Sequence, residues 1–125
     1  MIQLILLIMV KFNFILLKDI GDEGCQYISE ILLQKNCKVK EIRLKKSNLT
    51  DEGFIIICKA LENHNTITNL NFSKNRITEK SLENILTLIK SNKNLKSINL
   101  DGNNYSTNIK DKIKSYVRKD LKISM

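Results

Sequence analysis

Three stretches of this 125-residue chain lie over one another without a gap. VKEIRLKKSNLTDEGFIIICKALENHNT (39–66), ITNLNFSKNRITEKSLENILTLIKSNKN (67–94) and LKSINLDGNNYSTNIKDKIKSYV (95–117) repeat with a period of 28 residues. Val39, Ile67 and Leu95 share a column, then Ile42, Leu70 and Ile98, then Leu44, Phe72 and Leu100. Ser47, Asn75 and Asn103 form the next column, and Leu49, Ile77 and Tyr105 the one after. A period of this size means a stack of like units, each too small to bury its apolar face alone.

Within a unit the apolar spacing changes character. The first columns alternate inward and outward, as a short strand does. Further on, Phe54, Ile57, Cys58 and Leu61 recur at i, i+3, i+4 and i+7, and Leu82, Ile85, Leu86 and Ile89 repeat that set. Each set predicts one apolar helix face lying on the sheet. Thr50 before Asp51 and Glu52, and Thr78 before Glu79, predict side-chain caps with acidic first turns. Between strand and helix the chain turns sharply, and its backbone groups face inward, away from water. An asparagine carries both a donor and an acceptor and satisfies them. Asn75 and Asn103 are therefore expected to hold turns together and to touch no ligand.

A weaker unit precedes these. KDIGDEGCQYISEILLQKN matches Ile20 to Leu49 and Gly24 to Gly53, and Ile28 and Leu32 to Ile57 and Leu61, at an offset of 29. Its strand half, MVKFNFILL, fits poorly, because Lys18 stands in the asparagine column and Asn13 competes for an apolar one. Terminal units of a stack are often atypical. MIQLILLIMVKFNFILL reads in two ways: the tail of an eroded preceding unit, or a short apolar strand and helix closing the open end. Lys11 and Asn13 break the run short of a membrane span. It lacks the basic start and small-residue cleavage site of a signal peptide. Its apolar start suggests a fragment of a longer array, or self-association through that end.

The columns follow the leucine-rich-repeat pattern L-x-x-L-x-L-x-x-N/C-x-L. With the period of 28 and the phrases NLTDEG, IGDEG and NCKVKEIRL, the chain resembles the ribonuclease-inhibitor type over about residues 10–108. The resemblance implies an α/β leucine-rich-repeat solenoid: a right-handed horseshoe arc with a parallel β-sheet on the concave face and α-helices on the convex face. On that reading residues 1–125 are one domain. It holds a degenerate repeat at about 10–38, repeats at 39–66, 67–94 and 95–108, and a C-terminal capping helix at about 107–121. Similar proteins include ribonuclease inhibitor, nucleotide-binding immune receptors, Ran GTPase activators and actin-capping tropomodulins. Most are binding scaffolds, so the resemblance implies a class of function and names no partner.

Strand alternation would then place three columns on the concave face: Glu41, Asn69 and Ser97; Arg43, Asn71 and Asn99; Lys45, Ser73 and Asp101. Phe12, Phe14 and Leu16 would add an apolar strip. Aromatic and arginine residues are common interface anchors, which singles out Phe14 and Arg43, with Asn71 and Asn99 beside them. A solvated face without a partner is the competing reading.

The net charge of +8 raises a second possibility, binding to nucleic acid or an anionic membrane surface. The basic residues concentrate late: residues 95–125 carry 7 against 3 acidic ones, while residues 1–38 balance. There Ile109, Ile113, Val117 and Leu121 lie four apart, with Lys110, Lys114, Arg118 and Lys119 elsewhere. Drift toward lysine, isoleucine and asparagine from AT-rich coding DNA is the favoured explanation of the charge. Cys25, Cys37 and Cys58 match no zinc spacing and read as buried, reduced thiols of a cytoplasmic protein. His64 is the only histidine, and the four glycines form no phosphate-cradling loop. No enzyme, cofactor or metal is expected.

Overall fold

Each unit of the repeat contributes one strand and one helix. The computed structural model describes the backbone of residues 2–125 and side chains from residue 4 onward. Along the chain come α1 (Ile2–Val10), β1 (Phe14–Leu16), α2 (Gly21–Leu32), β2 (Glu41–Arg43) and α3 (Asp51–Leu61). They are followed by β3 (Asn69–Asn71), a 3₁₀ turn (Glu79–Ser81) running into α4 (Leu82–Ser91), β4 (Ser97–Asn99), α5 (Thr107–Ser115) and β5 (Lys122–Ser124). The five strands form one parallel sheet in the order β1-β2-β3-β4-β5.

The register follows the repeat columns. Phe14 pairs with Glu41, Glu41 with Asn69, Asn69 with Ser97 and Ser97 with Lys122, at spacings of 27, 28, 28 and 25 residues. The central residue of each of the first four strands, Ile15, Ile42, Leu70 or Ile98, is buried. Successive helices pack on one another as a second layer against that face. Phe54 of α3 meets Phe72 edge-on, with ring centroids 5.0 Å apart and an interplanar angle of 81°. This favourable aromatic geometry ties the helical layer to the sheet.

Caps and close contacts explain where the helices sit. The Thr50 hydroxyl accepts from Glu52 N at 3.3 Å and the Thr78 hydroxyl from Lys80 N at 3.2 Å. Gly53 allows α3 to approach α2: a Cβ there would lie 2.9 Å from Cys25 Sγ and clash with Asp22. In α3 the predicted face is buried as read, while α4 buries Ile85, Leu88 and Ile89 and leaves Leu82 and Leu86 half-covered.

Two ends of the chain take definite form. The apolar start is a helix followed by a strand, α1 and then β1. Leu6 is buried, whereas Leu4, Leu7 and Ile8 are exposed. At the other end the expected helix over 107–121 stops at Ser115. Tyr116 N bonds to Ile113 O, and the chain turns to form β5, an unforeseen strand. The reason is the edge of β4, whose neighbouring groups would otherwise be unpaired. Lys122 N donates to Lys96 O at 2.9 Å, and Leu100 N donates to Ser124 O at 2.7 Å. Ile113 and Leu121 are still buried, so the apolar spacing was sound although its geometry is not one helix.

Candidate functional site

Parallel sheets are usually covered on both faces, because crossover helices lie on each side. Here the buried strand residues all belong to one face, and the alternate residues form an open one. Along β1 to β4 that open face carries Phe14 and Leu16, then Glu41 and Arg43, Asn69 and Asn71, and Ser97 and Asn99. The predicted binding residues on the strands therefore do lie side by side. Lys45 and Asp101 follow just beyond the strand ends and are exposed. Ser73, predicted to share their column, is instead buried. Its N and Oγ both donate to Asn71 Oδ1, at 2.9 and 2.7 Å.

The same device recurs one unit later, where Asp101 N donates to Asn99 Oδ1 at 2.9 Å. Both amides are thus held by their oxygens, and among the described residues neither Nδ2 has a partner within the chain. Arg43 Nε donates to Glu41 Oε1 at 2.7 Å, which keeps the guanidinium even more firmly protonated. Phe12, Phe14 and Leu16 are 68%, 36% and 48% exposed, a continuous apolar strip beside this polar field.

The asparagine column is built into the turns. Asn75 Oδ1 accepts from Ser47 N and Leu49 N, both at 3.0 Å, and Nδ2 donates to Leu44 O and Phe72 O, both at 2.9 Å. Asn103 accepts from Ile77 N and donates to Phe72 O and Leu100 O, all at 3.0 Å. Ser47, which replaces asparagine earlier, donates through Oγ to Leu17 O at 3.2 Å.

Three further columns escaped the sequence reading. Asp22 bonds Thr50 N at 2.9 Å and also the Thr50 hydroxyl, and Asp51 bonds Thr78 N and Oγ1 at 2.9 and 2.6 Å. Burial opposes the Asp51 charge, but bonds from Ser81 and Thr78 outweigh it and hold the carboxyl below its usual range. In the loops that close each unit, Asn92 Nδ2 donates to Leu61 O and His64 O at 2.7 and 3.0 Å. His64 Nδ1 in turn accepts from Ile67 N at 3.2 Å. At the strand ends Asp19, Lys46, Lys74 and Gly102 all adopt positive φ, of 57°, 53°, 56° and 72°. The signal was the repeat spacing itself, 29 residues from Asp22 to Asp51 and 28 from His64 to Asn92, and in the last two columns it was hidden because the residue type changes from unit to unit.

The predicted basic surface needs correction at Arg118. Its guanidinium donates to Ile89 O, Asn92 O and Leu95 O at 2.8, 3.0 and 2.7 Å. Its Nε lies 2.9 Å from Asp120 Oδ1 as an ion pair, without hydrogen-bond alignment. A planar fork with several donors suits a cluster of main-chain carbonyls at the end of α4 and its loop, and this one is spent on them. Lys110 is half-buried, and Lys114 and Lys119 remain exposed.

The three cysteines are free and buried, and burial with the nearby Asp22 charge pushes the Cys25 thiol up to about 12. Among the described residues no group of His, Cys, Asp and Glu could hold a metal ion. Among them too, no helix is long and apolar enough to cross a membrane.

No family model matches the chain. Two curated relatives align with it. FERM domain-containing protein C of Dictyostelium discoideum is 39% identical over 71 residues, 57% of this chain. Human NACHT, LRR and PYD domains-containing protein 13 is 31% identical over 85 residues, 68% of this chain. The aligned regions span only 5% and 8% of those two proteins. Among solved structures, leiomodin-1 actin-binding site 2 superposes with a TM-score of 0.77 at 21% identity, covering 92% of this chain and 70% of that one. That likeness is one of fold. With the parallel sheet, the second relative points to an LRR-like architecture.

Proposed function

We propose that this chain is a non-enzymatic leucine-rich-repeat scaffold of the ribonuclease-inhibitor type, a single solenoid domain whose concave face binds another protein. The observation that carries the reading is the open sheet face, on which Arg43, Asn71 and Asn99 stand in one row across three strands. The proposed arc would make that face concave. The two relatives are named for interaction domains, and the leiomodin neighbour is described as an actin-binding site, all in keeping with a protein-binding role. Three buried free thiols support a cytoplasmic setting as part of the proposal.

The test is affinity capture from native lysate on the full chain, treated with nuclease and eluted by a salt gradient. A retained protein should be lost from the Arg43→Glu, Asn71→Asp, Asn99→Asp variant, whose carboxylates can still accept from Ser73 N and Asp101 N, at temperatures where the variant is folded. Sedimentation with filamentous actin tests one named candidate directly. Capture that is unchanged in that variant would sink the reading.

The exposed Lys114 and Lys119 favour a second reading, in which the basic C-terminal half binds nucleic acid or an anionic membrane. Such binding would vanish with nuclease or modest salt. The exposed Leu4, Leu7 and Ile8 of α1 also support self-association at that end, which sedimentation velocity reads as a dimer.

A further inference from the structure

The open face is not uniform, and its first strand differs in kind from the others. Phe12, Phe14 and Leu16 are exposed apolar side chains on a face that is otherwise polar. Two hollows adjoin them. One, of about 470 Å³, lies between Leu16, Leu17 and the lysines Lys18, Lys45 and Lys46. The other, of about 430 Å³, lies between Phe12, Phe14, Lys40 and the Glu41–Arg43 pair. None of Lys18, Lys40, Lys45 and Lys46 forms an ion pair among the described residues. Lys46 also holds a left-handed backbone, at the position where the last unit has Gly102. An apolar strip is thus set between unpaired positive charges on both sides.

Resting on the scaffold reading, we infer that this strip is the docking site for an acidic segment of a partner protein, with aliphatic or aromatic side chains entering the hollows and carboxylates meeting the lysines. Charge complementarity selects this occupant. A second copy pairing through the same patch about a two-fold axis would set these lysines against their own copies, with each chain carrying +8. A lipid surface is flat and would leave the hollows unfilled, whereas a peptide presents separate side chains that fit them. Hydrophobic anchors ringed by complementary charge are the usual composition of a binding hot spot.

The experiment is selection of a displayed random peptide library on the full-length chain, followed by affinity measurement of the enriched peptides. Enriched sequences should combine Asp or Glu with Leu, Ile or Phe. Phe14→Ser with Leu16→Ser should weaken them by about tenfold or more, measured at a temperature where the variant is folded. Lys45→Glu with Lys46→Glu, which leaves the apolar strip intact, should shift selection toward basic peptides. Neutral or basic winners on the native chain, no enrichment, or indifference to the Phe14 and Leu16 changes would overturn the inference. So would a dimer, or phosphatidylserine-vesicle binding, that depends on those two residues. A captured protein that is lost on changing Arg43, Asn71 and Asn99 but not Phe14 and Leu16 would end this inference and leave the scaffold reading standing. Capture insensitive to both sets would end both.

Discussion

Asn92 sits one unit along from His64 and donates to its carbonyl through Nδ2, at 3.0 Å and a separation of 28 residues. His64 is 8% exposed, and its Nδ1 accepts backbone N–H groups from Thr66 and Ile67. The neutral ring therefore carries its proton on Nε2, an atom with no hydrogen-bond partner. A second proton would have to displace the bonds at Nδ1. Burial already lowers the His64 pKa from its ordinary 6.5. Folding stability from this group is thus complete above about pH 6.5 and falls as pH drops toward the lower folded value. His64→Asn, which copies Asn92, should gain stability relative to the native chain as pH falls through that window. Urea unfolding of both proteins at matched pH values measures the difference and cancels the contribution of shared carboxylates.

Asn75 is expected to be the most costly single amide to remove. Asn75→Ala leaves Ser47 N and Leu49 N without their buried acceptor, and should cost about 2–4 kcal/mol. Binding at the open face should be unaffected at temperatures where the variant is folded. Denaturant midpoint and partner affinity, measured together, separate the two roles. Unchanged stability with lost binding would reassign this residue to the interface.

Lys74 holds a conformation that glycine adopts freely, at φ 56° on an exposed turn. Lys74→Gly should stabilise by up to about 1 kcal/mol, the relief of left-handed strain less the entropy glycine loses on folding. The reverse test is Gly102→Ala, at φ 72° with a new Cβ 3.2 Å from Lys74 Cγ. It should destabilise by about 1 kcal/mol or more. Thermal melts of both variants decide, and a stabilised Gly102→Ala would be incompatible with this account.

Arg118 and Lys119 are neighbours with the same charge and should behave oppositely. Arg118→Gln strips buried carbonyls of Ile89, Asn92 and Leu95 of charged donors and should cost about 2–3 kcal/mol. Lys119→Gln, at an exposed site, should stay within about 0.5 kcal/mol of the native chain. Guanidinium titrations of the two variants provide the comparison.

Legibility in the sequence tracked chemical sameness. Ile42, Leu70 and Ile98 are alike in every unit, so both the strand register and the open face opposite them could be read from spacing. Asn75 and Asn103 were legible for the same reason. The column of His64 and Asn92 was not, since one imidazole and one amide do the same work with different atoms. Arg118 was opaque because its partners are main-chain carbonyls 23 to 29 residues earlier, which leave no mark in side-chain pattern. β5 was missed because its spacing from β4 shrinks to 25 residues and Val117 and Leu121 continue the spacing of the helix before it. The apolar strip at Phe12, Phe14 and Leu16 was legible as exposed surface, but its lysine rim was not. Lys18, Lys40 and the pair Lys45 and Lys46 come from three separate segments that only folding brings together.

Every strand in this sheet pairs with its neighbours in sequence, and the chain's two ends sit on opposite margins. Among the described residues no strand threads between others and none reaches across the sheet. The molecule is therefore wired in series. Pulling on its ends would peel it one slab at a time from either margin, with no single clasp whose rupture frees the whole. By the same logic, the interval from Ile67 to Asn94 is a cassette. A tandem copy inserted after Asn94 would meet the Leu95-type surface it already matches on one side and an Ile67-type surface in place of a Val39-type one on the other, and would lengthen the ruler by one mark.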